Sequence, residues 1–440
     1  MRGTDLNYGR TRPYGPGQRV SRTALAAFTL PVVTFQAIEM TWRSYLPRFL
    51  EQDVGIALGS IAALMLCVRL FDAAADPLIG WMSDSCRTRF GRRKPWMISG
   101  ALLVSLAVLP LYLAPSGAGM AWIVGASLLF HLGYSLIITP HGGWGLELSV
   151  DSHQRTRIMG AKVWFAIAGS LALLAFLSIL ERRFATPLRV EMALFGWAIA
   201  LLAPLTVIVP ILLFAEPEPE RIPTVGRAGL LEQFRDIIGN RTLALVLLLY
   251  TLTGIADAAA MTCFLFLAED VFGLDRWGAS LLLIQPVAAL LALPFWSRLS
   301  ARLGRPATLV LSYSWQAAAC CALLLVPAGA PFLLGAVLTA KGLGWGVDYM
   351  LLRAMVADIA SDCRFPSAGA ASHYAVSSIT LKIAMGLGSG GALWAISLGS
   401  GAERLALIQA AFVLPSVLAA AAAWSLLCRR APIGRMAVLA

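Results

Sequence analysis

Charge is what this sequence has least of. Only 13% of its 440 residues are Asp, Glu, Lys or Arg, where a water-soluble domain carries about a quarter. With 58% hydrophobic residues and a mean hydropathy of +0.75, the chain reads as an integral membrane protein. Histidine is scarcer still. The four histidines are scattered and form no metal trio or nucleophile–base set, so a membrane-embedded enzyme lacks its catalytic cluster. The seven cysteines at 67, 86, 263, 320, 321, 363 and 428 include no CxxC pair. They read as small apolar residues or free thiols, without a disulfide framework or metal site. Met1–Arg22 is polar and arginine-rich with no short apolar region and cleavage site, so no cleaved signal is expected.

Acids are outnumbered by bases, 24 to 35, for a formal charge of +11. Nucleic acid is not the implied partner, because the arginines sit in short loops between apolar runs. Those runs fall near 24–47, 56–82, 96–114, 119–140, 160–180, 192–214, 243–268, 279–297, 307–327, 331–353, 373–398 and 405–427. Each is long enough to cross a bilayer, at about 20 residues per helical span. Loops on the side of the N-terminus hold about 25 Lys and Arg and the others about 6, which places both termini in the cytoplasm. The expected fold class is an all-α membrane protein of twelve transmembrane helices in two six-helix bundles. Its boundaries are a tail at 1–23, bundles at 24–215 and 243–428, a linker at 216–242 and a tail at 429–440. Prolines in the EPEPERIP start of the linker prevent helix there, and Leu230, Leu231, Phe234, Ile237 and Ile238 then recur at the spacing of a surface amphipathic helix.

Against this apolar background, Arg69–Pro95 (RLFDAAADPLIGWMSDSCRTRFGRRKP) is conspicuous. At about 100° of rotation per residue, Arg69, Asp72 and Asp76 project from one helix face within roughly 60° of each other. A charge at the bilayer centre costs about 2.5–3.5 kcal/mol on insertion scales. Three on one face imply a polar cavity or a bound ion. A purely structural pairing of one aspartate with Arg69 is the alternative, and it leaves one carboxylate over. Other ionisable residues inside apolar runs are Glu39, Arg43, Asp257, Lys341, Asp348 and Lys382. Glu39 and Arg43 stand four apart and either pair with each other or face a cavity beside Gln36. His131 lies amid an apolar face and reads as a core histidine.

Asp84, Gly91, Arg92 and Arg93 after the second run approximate the GxxxD…GRR loop of the major facilitator superfamily. Within it, RxxDxxxDPxxGxxxD followed by RxGxxKP resembles the glycoside–pentoside–hexuronide:cation symporters, whose best-known member is the melibiose permease. A second matching segment is Tyr134–Lys162, with its LxxDxxxRxR part. A third is Met355–Gly391, which starts MVADI and carries Lys382. A faint repeat, Arg302-Leu303-Gly304-Arg305 after the eighth run, echoes Arg89-Phe90-Gly91-Arg92 and fits paired bundles.

The resemblance implies a cation-coupled importer working by alternating access. Its coupling ion is H+ or Na+, bound by Asp72 and Asp76, which are metal ligands only in the sodium case. Ser135 is either a third ligand or a serine bonded to its own helix. Arg69, Tyr134, Lys382, Gln36, Glu39, Arg43 and Lys341 are the residues placed on substrate or coupling. Asp84, Arg89, Arg92, Arg93, Asp151 and Arg155 form the gating loops.

The resemblance fails at the sugar, where the acids of the permease fall at Ile138 and near Ala37. Fewer substrate hydroxyls, or an anionic group opposite Arg43, Lys341 and Lys382, would fit that loss, and a lipid or organic-anion transporter of the same fold is the alternative. Ala75 supplies no amide oxygen for sodium, which tilts the ion toward a proton. A monomer in the inner membrane is expected, with a small-molecule substrate, no nucleic acid and no cofactor.

Overall fold

In lipid a backbone satisfies its own hydrogen bonds only as helix or closed barrel, and this chain takes the first course. The computed structural model describes residues 20–86, 88–149, 152–216, 240–361 and 370–425. Among them the regular structure is helical, apart from isolated bridging such as that between Thr88 and Gly91. The helices are α1 Arg22–Val54, α2 Leu58–Ser85, α3 Lys94–Tyr112, α4 Met120–Glu147, α5 Ser152–Ile179, α6 Leu188–Leu213, α7 Arg241–Phe266, α8 Gly278–Leu303, α9 Arg305–Ala322, α10 Pro331–Gly344, α11 Val347–Ser361, α12 Ala370–Ser397 and α13 Gly401–Ala423. The linker from 217 to 239, where the amphipathic helix was expected, lies outside the described residues, as do residues 1–19 and the tail from 426.

Local chemistry sets the helix ends. Asn240 caps α7 by accepting from the amides of Thr242 and Leu243 at 2.9 and 3.2 Å, and Ser21 caps α1 through Ala24 at 3.2 Å. Gly55, at φ 87°, closes α1 in the left-handed conformation that suits glycine.

Among the described residues eleven helices are long and apolar enough to cross a membrane, where twelve spans were expected. The difference is the tenth run. It forms two shorter helices, α10 and α11, because Trp345 takes an extended backbone and Gly346 a φ of 82°. A side chain at Gly346 would be strained there. Broken helices of this kind are tolerated at membrane depth where they line a cavity, and the break proves to border one.

The chain divides into two compact units. One holds the described residues up to Ile56 and those from Leu70 to Glu216, and the other holds Ala57–Arg69 and those from Asn240 onward. In the first, α3 lies close on α4: a Cβ at Gly133 would meet the Val104 amide at 2.8 Å. Ser105 Oγ ties α3 to α6 by donating to the Ala200 carbonyl at 2.7 Å. The second unit packs Leu243, Leu249, Trp296, Leu309 and Leu352 into its core. Large apolar side chains such as Leu106, Leu201, Leu291 and Phe332 stand exposed, as contact with acyl chains requires.

In α12 the run Gly386-Leu387-Gly388 lets helix backbones meet. A Cβ on Gly388 would lie 2.5 Å from the Ile255 carbonyl of α7, whereas one on Gly391 meets nothing within 4 Å. Small residues permit this approach in membranes, and Thr262 Oγ1 adds a hydrogen bond to Ser389 Oγ at 2.8 Å. Overpacking typically costs about 1–3 kcal/mol. Gly388→Ala should therefore lower the melting temperature of the detergent-solubilised protein, and Gly391→Ala should leave it unchanged; equal melting points would disprove the close approach.

Candidate functional site

Three places gather the ionisable side chains. The first joins α1, α2 and α4. Asp72, 1% exposed, receives His131 Nδ1 at 3.0 and 3.2 Å to its two oxygens. The imidazole is fully buried, with the edges of Trp42, Phe130 and Tyr134 around it at ring separations of 4.2, 5.7 and 6.2 Å. His131, expected as a core histidine, is thus a partner of the first aspartate. A signal was present: His131, Tyr134 and Ser135 share one face of α4 by their spacing.

Asp76 and Ser135 follow four residues later on the same two helices, and Pro77 has no amide hydrogen to return to the Ala73 carbonyl. Asp76 is half-buried. Ser135 is fully buried, and its hydroxyl makes no hydrogen bond among the described residues. Ser105, by contrast, bonds back to its own helix at the Ala101 carbonyl. Ser127 Oγ, Trp42 Nε1 and His131 Nε2 are likewise buried without a partner among those residues. Of the other residues placed on substrate or coupling, Tyr134 is buried and edges onto Phe35 at 5.9 Å. Gln36, Glu39 and Arg43 are half-buried along α1. Arg69 is 4% exposed and belongs to the second unit, where its stem lies against Gly386. Lys382 is half-buried on α12. No group of three or more metal-ligating His, Cys, Asp or Glu side chains occurs among the described residues.

The second place is the loop between α2 and α3. Arg93 donates to both oxygens of Glu147 at 2.8 and 2.9 Å and to Asp84 Oδ1 at 2.7 and 3.2 Å, binding the ends of α2, α3 and α4. Arg92 also pairs with Glu147. The Glu216 carboxylate, just beyond α6, accepts from the amides of Arg92, Arg93 and Lys94 at 2.7, 3.1 and 2.7 Å. It satisfies orphan donors at the start of α3 and sits at the positive end of its dipole. Gly91 is needed here, at φ 109° with Glu216 2.6 Å from where a Cβ would stand.

Glu147 and Glu216 were not singled out in the sequence, because nothing local marks an acid as the partner of a loop dozens of residues away. Asp84, Arg92 and Arg93 are brought together. Arg89 is exposed and lies over the ring of its neighbour Phe90, apart from the clasp. Asp151 and the side chain of Arg155 lie outside the described part of the chain.

A guanidinium fork serves two carboxylates where an ammonium reaches one point. Arg93→Lys should therefore destabilise the protein nearly as much as Arg93→Ala, by about 1–3 kcal/mol, the lower end reflecting the half-exposed Asp84. Thermal unfolding in detergent measures it, and full rescue by lysine would show that charge alone suffices.

The third place lies within the second unit, around the break between α10 and α11. Asp257 of α7 accepts from Trp345 Nε1 at 2.8 Å and from the Tyr349 hydroxyl at 3.2 Å. Lys341, 4% exposed, donates to Gln285 at 3.3 Å and stands 5.6 Å over the Phe412 ring. Asp257, Lys341 and Trp345, with Asp348 and Gln316, line one small recess. Sequence reading put Lys341 on substrate and Asp348 two turns along the same face, and noted Asp257 by itself, without bringing it to them.

Residues 27–433 match the family model described as MFS/sugar transport protein. Among curated relatives, the chain is 27% identical over 143 residues to the putative glycoside/cation symporter YagG of Escherichia coli (strain K12), which is 31% of each chain. It is 35% identical over 114 residues to a lactose permease of Lactobacillus helveticus, covering 24% of this chain and 18% of that one. In both the match spans less than a third of the relative. Solved structures show the fold: nucleoside transporter NupG superposes with a TM-score of 0.69 at 11% identity, covering 91% of this chain and 97% of that one. A POT family transporter in complex with a thioalcohol-conjugated peptide gives 0.70 at 13% identity, covering 96% and 99%. These relatives are transporters, which removes the enzyme reading. With nearly its whole length matched by one family model, this multi-pass membrane protein belongs to the MFS/sugar transport family.

Proposed function

We propose that this protein is a cation-coupled symporter that imports a glycoside or related small organic solute by alternating access, with both termini in the cytoplasm. The observation that carries the reading is the Asp72–His131 pair, buried between two membrane-spanning helices. A buried polar pair is a weak stabiliser, since apolar residues of equal volume often serve as well or better. Its presence at membrane depth calls for a transport role. Asp72 and Asp76 supply the negative charge that takes the cation, and the unpartnered Ser135 hydroxyl is a further oxygen for it. Family membership and the printed names of the symporter relatives support the same reading.

A proton is favoured over sodium as the coupling ion. Sodium requires several oxygens around it, Ala75 brings none from its side chain, and one face of Asp72 is already held by an imidazole. Lys382 is assigned to coupling, as a positive charge on α12 that answers the carboxylates when no cation is bound. The Arg92–Arg93 clasp is assigned to gating, because its ion pairs close helix ends that must separate in one of the two access states. The inner membrane is the proposed location, and one chain the proposed working unit.

Asp72→Asn and Asp76→Asn keep the shape of the side chain and remove the charge. Each should abolish uphill accumulation in vesicles while the protein still inserts. Lys382→Ala should spare downhill exchange of solute and impair accumulation. Uphill transport at the parent rate in both aspartate variants would sink the cation assignment.

A further inference from the structure

Sodium and a proton make different demands on a buried carboxylate. A hard metal cation needs several oxygens turned toward it, whereas a proton needs only one. The face of α4 that meets Asp72 carries Ser127, His131 and Ser135 at successive turns. The two serines bring hydroxyl oxygens that are buried and without a partner among the described residues. Between them stands a nitrogen base. Imidazole suits zinc, copper and iron, and hard cations prefer carboxylate, carbonyl and water oxygens. A row of oxygens is thus interrupted at the residue that touches the carboxylate.

The geometry of the interruption is specific. His131 Nδ1 stands 3.0 and 3.2 Å from the two oxygens of Asp72, close to the bisector of the carboxylate. A metal ion shared by both oxygens would take that same place. A bare lone pair facing a bare carboxylate would be repelled, so a hydrogen lies between them, on the nitrogen or on the acid, whichever tautomer the ring adopts. The ring has little room to turn aside. It is fully buried, with Trp42, Phe130 and Tyr134 packed edge-on around it. Its other nitrogen, Nε2, has no hydrogen-bond partner among the described residues. Asp72 is therefore the polar group that orients the imidazole. A ring that served packing alone would need no nitrogen here, since an unmet buried polar atom is a standing cost.

Resting on the reading of Asp72 as a coupling carboxylate of a cation-driven importer, we propose that His131 decides which cation is used: by holding both oxygens of Asp72 it bars sodium from that carboxylate. The side chains as they stand do not fit a sodium ion at this place. They come to fit one when an oxygen replaces the imidazole between Ser127 and Ser135. His131 acts through Asp72 and is a positioning residue. A sodium ion that displaced this hydrogen bond to a charged group would bind about tenfold or more weakly for it.

The test titrates sodium chloride against choline chloride at equal ionic strength, on the purified full-length protein in detergent. It reads the melting temperature and the equilibrium binding of radioactive sodium. An ion that binds the folded state raises its melting temperature by mass action. The parent protein should show no rise specific to sodium. His131→Ser completes the row of hydroxyls, and His131→Gln keeps the bulk and brings a carbonyl oxygen. Each should acquire a sodium-specific rise and bind sodium about tenfold or more tightly than the parent does. Adding Asp72→Asn to either variant should remove that gain. Folding is judged by gel filtration, and where one variant does not fold the other decides. Folded variants as indifferent to sodium as the parent would overturn the proposal. A sodium-specific rise in the parent that Asp72→Asn removes would overturn it too, and would leave a cation-coupled importer standing with sodium as its ion. The importer reading falls separately, on uphill accumulation that survives Asp72→Asn and Asp76→Asn.

Discussion

Hydrocarbon does not accept an unaccompanied charge, and that constraint orders this molecule. With so few ionisable residues inside its spans, the chain cannot scatter them at random. At about 2.5–3.5 kcal/mol each on insertion scales, isolated charges would erode insertion of the helices that carry them. They are gathered instead. Asp72 meets an imidazole inside an aromatic surround, and Asp257, Lys341 and Asp348 line one recess. Both gatherings sit where three or more helices converge, the only setting at membrane depth that supplies several polar partners together.

The same rule applied to the backbone explains the irregular features. A span interrupted at Gly346 exposes peptide groups that lipid cannot satisfy, so the break is tolerable only beside a polar recess. Helix ends pose the problem again at the membrane surface. There the first amides of α3 point outward unpaired, and a carboxylate from beyond α6 collects three of them. Arg93 performs the complementary task for the acids at the ends of α2 and α4. The loop motif is a clasp because arginine and glutamate together close several helix ends at once.

What the sequence made legible was whatever is local. Hydropathy located the spans within a few residues, and the spacing of Arg69, Asp72 and Asp76 marked the charged face of α2. The loop signature pointed to Asp84, Arg92 and Arg93, which do converge. The partners were not legible, because they are tertiary. His131 is 59 residues from Asp72, and Glu216 is 124 from Arg92. Asp257 and Trp345 are 88 apart. No periodicity links such pairs in one sequence read alone. The broken tenth span was legible in principle, since glycines recur at 342, 344 and 346. Length and apolarity outweighed them, as they do wherever a glycine-bearing helix survives by packing.

One element of the chain belongs to both compact units. Helix α2 is such an element by covalent continuity. Its residues through Arg69 cluster with the second unit, and those from Leu70 belong to the first. Its early turns lie tight against α12, where a Cβ on Gly390 would stand 2.9 Å from the Ala62 carbonyl and one on Gly386 2.7 Å from Arg69 Cβ. Such close backbone packing transmits a shift, because it has no slack to absorb one. Asp72 stands one turn beyond that packed segment. The helix that carries Asp72 is therefore packed, through its early turns, against the helix that carries Lys382.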